Sequence, residues 1–402
     1  MRSIALTLLV ALLAVPASAG KTAVEPATAN NAFAVDLFGV LRTREGNLFF
    51  SPYSVSAALA MTRQGAKGDS AAQIDEVFHW GGGVDAKAHR ALAKALVAEN
   101  VTDGHGEDAK EVPAYEMHVA NALWAQAGLP VKKPFAGVLD REFGAPLRRL
   151  DFRDTAAARK AINDWVAQQT RDRIRDIVPE DLPTPDTLFA LANAIWFKAA
   201  WDEPFRERWT KEAPFTTTAG EVFEVALMHR TGDFRYAEDD AVQVVEIPYR
   251  GGRTSMLVVL PKKADGLPAV EKALTSAKLA GWTDALRDRQ VAVKLPRFEI
   301  TCPTDLTGTL KGMGMPDAFD GKKADFTGMT DERPLFVGAV LHKAFVKVDE
   351  AGTEAAAATV VMMMKGGMPP DPVAFTADHP FLFLIRHRAT GLVLFMGRFE
   401  SP

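Results

Sequence analysis

The first half of the chain spaces its apolar residues as helices do. One such pattern predicts a helix over residues 31–40, with apolar side chains at Phe33, Val35, Leu37, Phe38 and Val40. An apolar stripe opposite a charged face predicts a second helix over residues 155–178. Residues 70–100 indicate further helical material, and the polar, mixed-charge stretch 101–111 predicts a surface loop.

The second half changes to short apolar runs separated by turn residues, which predict strands. These runs lie at residues 223–228, 234–236, 242–248, 255–260, 291–296, 336–348, 381–385 and 392–399. Two earlier segments, 115–125 and 188–197, also indicate strands, and Gly251-Gly252 is typical of a hairpin turn. Helical patterns interrupt this half near residues 267–274 and 306–313. Because no repeat, linker or low-complexity tract divides the chain, we predict one mixed α+β body.

Polar residues stand inside two of these apolar segments. Ser51 ends a short apolar strand and can cap a helix that has Pro52 at its first position, with Ser54 one turn further on. Asn193 lies in a run that suits a strand buried on both faces, so its amide must find hydrogen-bond partners inside the protein. Ser51 has no glycine elbow around it, which argues against a hydrolase nucleophile.

The segment from Glu350 to Thr359 has two interpretations. In the first, Thr353 caps a helix with Glu354 in its first turn and alanines in its body, because alanine is the best helix former. In the second, Gly352 is a pivot, and every other residue from Thr353 to Val361 is small or β-branched, as on the buried face of a strand. A segment able to adopt both forms would be a conformational switch.

Composition and charge exclude several classes of function. The 402 residues are 48% hydrophobic and 24% charged. The net charge is −4 and positive and negative residues are interspersed, which argues against a nucleic-acid surface or a strongly charged membrane contact. The sequence gives no metal site, no cofactor motif and no run of Lys and Arg that would bind a glycosaminoglycan. Cys302 is the only cysteine, so an intramolecular disulfide is impossible, and we interpret it as a small buried hydrophobe.

The N-terminal residues have the pattern of an export signal over residues 1–19. Arg2 precedes an apolar run at 4–15, and the small residues Ala17-Ser18-Ala19 follow Pro16. A dozen apolar residues are too few to cross the roughly 30 Å hydrocarbon core of a membrane as a helix. We therefore expect a secreted protein, extracellular or periplasmic, in which residues 20–402 form a single domain.

An ordered set of motifs resembles the serpin family from about residue 31 to the C-terminus. The motifs are Asn47-Leu48-Phe49-Phe50-Ser51-Pro52, Asn193-Ala194-Ile195-Trp196-Phe197-Lys198, Trp201 with Pro204-Phe205, Leu295-Pro296-Arg297-Phe298, His342-Lys343, Glu350-Ala351-Gly352-Thr353-Glu354, His379-Pro380-Phe381 and Phe395-Met396-Gly397-Arg398. Each alone is weak, but their order and spacing across one chain make an accidental match improbable.

This resemblance implies both a fold and a mechanism. The fold is a single α+β domain with three β-sheets, eight or nine helices and an exposed reactive-centre loop at about residues 350–378. The mechanism involves no enzymatic turnover. A target serine or cysteine protease cleaves the loop to an acyl-enzyme and is trapped when the cleaved loop inserts into the main sheet as a new strand.

The resemblance also implies roles for particular residues. Ser51, Ser54, Asn193 and His342 would form a polar cluster beneath the sheet where strands part, and Trp201 with Glu350 would lie where the loop first enters. The loop hinge would consist of Glu350, Gly352, Thr353, Glu354, Ala355, Ala356, Ala357, Ala358 and Thr359.

The bond that the target protease cleaves follows from counting along the loop. The count from Glu350 places the primary specificity residue at Gly366, and Met364, Lys365 and Gly367 are the neighbouring candidates. Lys365 suits a trypsin-like protease, whose pocket holds a carboxylate, whereas Met364 or Met363 suits an elastase, chymotrypsin or subtilisin-like pocket. Gly366 fills no pocket, so we favour Lys365, with Met364 second. We expect a serine protease of one of these classes as the partner and a monomeric inhibitor.

Two other functions stay open. A non-inhibitory serpin that acts as a carrier or chaperone-like binder would keep the fold but would usually have bulky, charged or proline residues in the hinge, which here is composed of small residues. A hydrolase built on Ser51 or Cys302 would need an activating partner, and neither residue has one nearby in the sequence.

Overall fold

The computed structural model describes residues 25–103, 109–354 and 371–402, and nine α-helices lie within these ranges. None of the described helices has the length and apolar character needed to cross a membrane. The helices are α1 (Pro26–Leu41), α2 (Pro52–Arg63), α3 (Gly68–Val77), α4 (Ala86–Ala95), α5 (Lys133–Phe143), α6 (Thr155–Gln169), α7 (Leu267–Lys272), α8 (Ser276–Ala285) and α9 (Thr307–Met313).

The strands of the described ranges fall into three sheets of nine, six and two strands. They are β1 (Leu48–Phe50), β2 (Asn100–Asp103), β3 (Lys110–Pro113), β4 (Glu116–Gln126), β5 (Arg148–Leu150), β6 (Phe189–Ala200), β7 (Lys211–Thr216), β8 (Val222–Glu238), β9 (Val242–Pro248), β10 (Thr254–Pro261), β11 (Arg287–Pro296), β12 (Phe298–Asp305), β13 (Leu341–Val348), β14 (Gly352–Thr353), β15 (Val373–Thr376), β16 (Phe381–His387) and β17 (Leu392–Phe399). This architecture agrees with the predicted α+β fold of three sheets and eight or nine helices.

The six-stranded sheet, in the order β12-β13-β14-β6-β4-β5, is the main sheet. On one face β4 and β6 present small residues such as Ala122, Ala192 and Ala194, against which Ile162 and Val166 of α6 pack. The opposite face packs on the main core, which includes α1 and α2. Since residues alternate between these faces, the odd-numbered residues of β6 point into the core and the even-numbered ones point toward α6.

The nine-stranded sheet joins the two ends of the chain. β1 pairs antiparallel with β17, and the ring of Phe49 stacks on Phe395 with centroids 5.1 Å apart. Gly397 lies at this crossing because a Cβ there would come within 2.4 Å of the Leu48 carbonyl oxygen. The buried guanidinium of Arg398 pairs with Glu271 at 3.2 Å. Strand β1 near the start of the described chain and strand β17 near its end thus pack into the same core.

Helix α6 ends nine residues earlier than the hydrophobic pattern predicts. Arg171, Asp172 and Asp176 have positive φ angles of 49°, 63° and 51°, which an α-helix does not allow. The Thr170 hydroxyl accepts a hydrogen bond from the backbone N–H of Ile174 at 3.1 Å and holds the chain in this turn. Ile174 and Ile177 are nevertheless buried. Helical spacing therefore predicted burial correctly here and secondary structure wrongly.

Other differences come from long-range strand pairing. Residues 101–111 were predicted as a loop, but β2 and β3 pair antiparallel at their ends, with the Thr102 hydroxyl donating to Glu111 at 2.9 Å. The two predicted strands at 223–228 and 234–236 are one strand, β8, because β11 pairs along most of its length. Helices α5 and α8 and strand β12 were not predicted. Cys302, interpreted as a small buried hydrophobe, is half-buried on β12.

Candidate functional site

Strands β6 and β13 of the main sheet are held apart at one end and pair directly with each other further along. At the upper end, the short strand β14 lies between them, with Gly352 opposite Ala200 and Thr353 opposite Ala199. Thr353 also pairs with Val348 of β13. Further down, β6 and β13 pair directly, from Asn193 with His342 to Ile195 with Ala344. The described part of the predicted hinge, residues 350–354, thus occupies the upper end of the space between the two strands.

A tight turn brings the chain from β13 into this space. The backbone N–H of Asp349 donates to the Gly352 carbonyl at 3.0 Å, and the Asp349 carboxylate accepts from the Ala351 N–H at 3.0 Å. Gly352 has a φ of +153°, and a Cβ on it would lie 2.1 Å from the Ala199 carbonyl oxygen. Only glycine fits this position, in agreement with its interpretation as a pivot.

Glu350 is anchored beside the turn by an arginine. The Nε atom of Arg297 donates to both carboxylate oxygens at 2.8 and 2.7 Å, and the Thr210 hydroxyl donates to the same group. Burial alone would raise the pKa of Glu350, but these hydrogen bonds lower it below its ordinary value. Arg297 belongs to the quoted motif Leu295-Pro296-Arg297-Phe298, but its role as the partner of Glu350 was not predicted. Glu350 is therefore the fixed end of the hinge.

Trp201 and Tyr249 form the wall beneath the turn. The Trp201 backbone N–H donates to the Ala351 carbonyl at 2.9 Å, and its indole N–H donates to the Asp349 carbonyl at 2.9 Å. The indole stacks on the ring of Tyr249 with centroids 4.6 Å apart, and the Tyr249 hydroxyl lies 2.7 Å from the hydroxyl of buried Thr353. Burial raises the pKa of Tyr249. This phenol is therefore neutral and can exchange a hydrogen bond with Thr353.

Glu354 ends the described hinge in an unfavourable position. Its φ is +54°, in the left-handed region that residues other than glycine seldom adopt. The carboxylate is buried, accepts a hydrogen bond from the Trp196 indole N–H at 2.5 Å and lies 3.1 Å from Arg173. The oxygen Oε1 has no partner among the described residues, and burial raises the pKa of the group. Gly352 and Thr353 are therefore paired with the main sheet, whereas the backbone of Glu354, the last described residue of the hinge, is strained.

A buried polar cluster, consisting of Ser51, Ser54, Asn193 and His342, lies where β6 and β13 pair directly. The Ser51 N–H donates to His342 Nε2 at 3.0 Å, so the other imidazole nitrogen carries the proton and donates to Asn193 Oδ1 at 2.7 Å. The Asn193 amide in turn donates to the Ser54 carbonyl at 2.7 Å and to Asn121 at 2.6 Å. Burial lowers the pKa of His342 to about 3, so the imidazole is neutral.

The hydrogen bonds of the Ser51 hydroxyl are structural. This hydroxyl donates to the Leu394 carbonyl at 2.6 Å and accepts from the Ser54 N–H at 3.1 Å, which caps α2. His342 contacts the backbone of Ser51 and not its hydroxyl, so it cannot take the proton of a nucleophile. The Cys302 sulfur has, among the described residues, a hydrogen-bonding contact with the Thr304 hydroxyl, at 3.6 Å. Among the described residues, no group of His, Cys, Asp and Glu could hold a metal ion.

The structure separates the predicted site residues into two groups. Ser51, Ser54, Asn193 and His342 meet at the polar cluster, whereas Trp201 lies at the upper end of the main sheet with the hinge. Asn121, Trp196, Tyr249, Arg173 and Arg297 also contact these groups and were not predicted to do so. The end of the expected loop forms β15, which pairs parallel with β11. The remaining predicted residues lie outside the described ranges, namely Ala355, Ala356, Ala357, Ala358, Thr359, Met364, Lys365, Gly366 and Gly367.

Comparison with known proteins gives relatives that match nearly the whole chain. Human Serpin B3 is 37% identical over 389 residues, which cover 93% of this chain and 98% of that protein. A leukocyte elastase inhibitor from the horse, Equus caballus, is 37% identical over 393 residues, covering 93% of this chain and 99% of the relative.

The prediction of secretion is wrong on the basis of these relatives. Serpin B3 and the leukocyte elastase inhibitors are intracellular serpins, and they match this chain over nearly their entire length. The N-terminal pattern that led to the prediction lies in residues 1–24, outside the described residues. A short apolar run before small residues is thus an insufficient basis for inferring export.

Structural comparison and a family model agree with these relatives. The crystal structure of Serpin48 from the insect Tenebrio molitor superposes with a TM-score of 0.81 at 30% identity, covering 94% of this chain and 98% of that one. The model of the family described as Serpin (serine protease inhibitor) matches residues 28–402. With the hinge seated between two strands of the main sheet, these matches lead to one conclusion: the chain belongs to the serpin family.

Proposed function

We propose that this serpin is an irreversible suicide-substrate inhibitor of serine or cysteine proteases. The cleaved loop would insert between β6 and β13 and trap the acyl-enzyme. The observation that carries the proposal is the position of Thr353, which is already paired with both strands at the upper end. Insertion would extend an existing strand and would not have to nucleate a new one.

The strand register supports this proposal. If β14 continues downward residue by residue, Thr359 comes opposite Asn193 of β6 and also opposite His342 of β13. Asn193 and His342 are the residues that pair directly with each other in the present structure. The two neighbouring strands therefore give the same register independently, and a polar threonine would arrive at the polar cluster.

The charge of Glu354 is compatible with insertion. In the same register, Glu354 would lie between Lys198 of β6 and Lys347 of β13, on the face of the sheet away from the core. In the present structure its carboxylate already interacts electrostatically with Lys198 and Lys347 and pairs with Arg173 at 3.1 Å, so insertion in this register would keep the two lysines as neighbours. A charged residue in the hinge is thus compatible with inhibition here, and it does not support a carrier function.

The energy available is sufficient to trap a protease. About ten inserted residues would form ladder hydrogen bonds, each worth about 0.5–1.5 kcal/mol net, so backbone pairing alone supplies on the order of 10 kcal/mol. Each 1.4 kcal/mol lost from transition-state stabilisation slows deacylation about tenfold. The alanines at 355–358 add little bulk, so the strand can insert before the acyl-enzyme hydrolyses.

The target follows from the cleaved bond. We propose Lys365 as the primary specificity residue, which implies a trypsin-like protease, and Met364 as the second candidate, which implies an elastase, chymotrypsin or subtilisin-like one. The name of the horse relative indicates inhibition of a leukocyte elastase by that protein. The contacts of Ser51 and His342 support the proposal that the chain is not itself an enzyme.

Incubation with trypsin, elastase and subtilisin tests the inhibitory proposal directly. We expect a covalent one-to-one complex that survives denaturing electrophoresis, because the trapped protease stays esterified to the cleaved loop. Mass spectrometry of the released C-terminal fragment identifies the bond, with Lys365-Gly366 expected for trypsin. Cleavage of the loop by all three proteases without a stable complex would exclude inhibition of these classes and favour a carrier.

Substitution Thr353→Arg tests the role of the hinge. A charged side chain does not fit the buried site beside Tyr249 that Thr353 already occupies, so the start of the inserted strand is displaced, insertion slows and hydrolysis of the acyl-enzyme prevails. We expect the fraction of cleavage events that end in a covalent complex to fall at least about tenfold, which corresponds to about 1.4 kcal/mol. The matched control Thr353→Ser keeps the hydroxyl and should trap like the parent. Equal trapping by the Arg variant would contradict the proposed path of insertion.

The neutral imidazole of His342 makes the closed sheet sensitive to acid. Its folded-state pKa of about 3 lies below the unfolded value of about 6.5, so its contribution to stability is complete above pH 6.5 and is lost as the pH falls toward 3. We expect a slope from this group of up to about 1.4 kcal/mol per pH unit.

Urea unfolding between pH 4 and 7 measures this slope. His342→Gln should be less stable at pH 7 and should lack this component of the slope. His379→Gln is the control, because contacts with Asp378 and the Pro261 carbonyl raise the pKa of His379 and give it a pH dependence of opposite sign. An unchanged slope in His342→Gln would show that His342 does not determine the acid sensitivity.

A further inference from the structure

A pocket of about 550 Å³ lies on one face of the nine-stranded sheet, where β7, β8 and β11 run side by side. Ala213 and Leu227 line it with apolar surface, and Trp209, which precedes β7, lines it with an aromatic ring. Ligand pockets in proteins usually have volumes of about 300–1,000 Å³. The pocket is thus large enough for a small molecule, and it is separate from the space between β6 and β13 in the main sheet.

Two lysines flank this pocket. Lys294 of β11 lies opposite His229 of β8, and Lys211 of β7 lies opposite Leu227, two residues earlier on β8. Because β7 and β11 lie on opposite sides of β8, the Cα atoms of the two lysines are about 12 Å apart, and their flexible side chains can reach one anion from both sides. Both lysines are exposed, and within the described ranges neither ammonium group has a carboxylate partner.

The electrostatic field in the pocket is positive. The guanidinium of Arg206 lies 4.4 Å from the centroid of the Trp209 ring, and that of Arg208 lies 5.6 Å from it. Partial burial lowers the pKa of His229 below its ordinary value, and the charges of the two lysines lower it further. Glu212 also lines the pocket, but the two lysines and the two arginines outnumber it. An environment that disfavours a protonated imidazole favours an anion, because both effects have the same electrostatic cause.

Trp209 provides a contact surface for an aromatic ring. It is 40% exposed, and the centroids of its ring and the His229 ring are 6.4 Å apart, so both rings border the same space. Aromatic rings pair favourably in offset or edge-to-face arrangements. An exposed tryptophan beside lysines without ion-pair partners therefore suits a ligand that combines a ring with negative charge.

We infer that this pocket binds a small aromatic anion, a molecule in which a ring carries a phosphate or sulfate group. The ring would contact Trp209, and the anionic group would lie between Lys211 and Lys294. The Thr231 hydroxyl and the neutral imidazole of His229 also line the pocket and can donate hydrogen bonds to the anion. Charge would attract the ligand, and the aromatic contact would distinguish it from simple anions.

Calorimetric titration of the full chain with phenyl phosphate tests this inference. Inorganic phosphate carries the charge without the ring, and phenol carries the ring without the charge. We expect saturable one-to-one binding of phenyl phosphate, with an affinity at least about tenfold higher than that of either fragment, because ring and charge contribute together.

Substitutions locate the binding. Lys211→Gln and Lys294→Gln should each weaken the binding of phenyl phosphate about three- to tenfold, since each removes one charged partner. Trp209→Leu should weaken the binding of phenyl phosphate but not that of inorganic phosphate. Lys322→Gln is the matched control, because Lys322 is also exposed but lies outside the pocket. All four side chains are exposed, so the urea unfolding midpoints of the variants should match that of the parent.

Four results would overturn the inference. Absence of binding by phenyl phosphate would exclude the ligand class, and equal affinities for phenyl phosphate and inorganic phosphate would exclude the aromatic contact. Unchanged binding in the double variant Lys211→Gln/Lys294→Gln would place the ligand elsewhere. Tighter binding of a short phosphotyrosine peptide than of phenyl phosphate would assign the pocket to a modified protein partner. None of these measurements involves a protease, so their outcome is independent of the inhibitory proposal.

Discussion

The short direct pairing between β6 and β13 is the interaction on which the rest of the structure depends. It covers only the segment from Asn193 to Ile195 on β6, and the polar cluster supports it from beneath. Above it the hinge already separates the strands, and below it an apolar cavity does so. Opening the main sheet therefore requires the loss of a few ladder hydrogen bonds and not of a whole strand interface. In the proposed mechanism, the closed section must hold in the uncleaved chain but yield to a new strand.

Residues 350–354, the described part of the predicted hinge, are anchored at Glu350 and strained at Glu354. Glu350 is fixed by Arg297 and Thr210, whose hydrogen bonds lower its pKa, and Gly352 provides the sharp turn. Glu354 has a left-handed backbone, which costs about 1–3 kcal/mol, and a buried carboxylate with a raised pKa. Insertion as an extended strand would remove this left-handed backbone conformation. The uncleaved hinge is therefore a state from which the chain gains by moving further into the sheet.

Sequence reasoning predicted the parts of this arrangement that depend on local chemistry or on motifs. Ser51 as a helix cap, Asn193 as a buried hydrogen-bond hub and Gly352 as a pivot follow from what each residue type can do. The partners of the hinge, such as Tyr249 and Arg297, come from elements distant in sequence, and no local pattern connects them to it. Helical spacing also extended α6 to residue 178, because burial of Ile174 and Ile177 needs apolar residues but not a helix. The secreted location was wrong, since a short N-terminal pattern does not outweigh relatives that match nearly the whole chain.

The structure of the loop-cleaved chain is the most direct test of the central claim that the space between β6 and β13 receives the loop. The account predicts a continuous strand from Gly352 to at least Thr359, antiparallel to both neighbours. Thr359 should lie between Asn193 and His342. A cleaved structure in which Asn193 and His342 still pair directly, with the loop residues outside the main sheet, would contradict it.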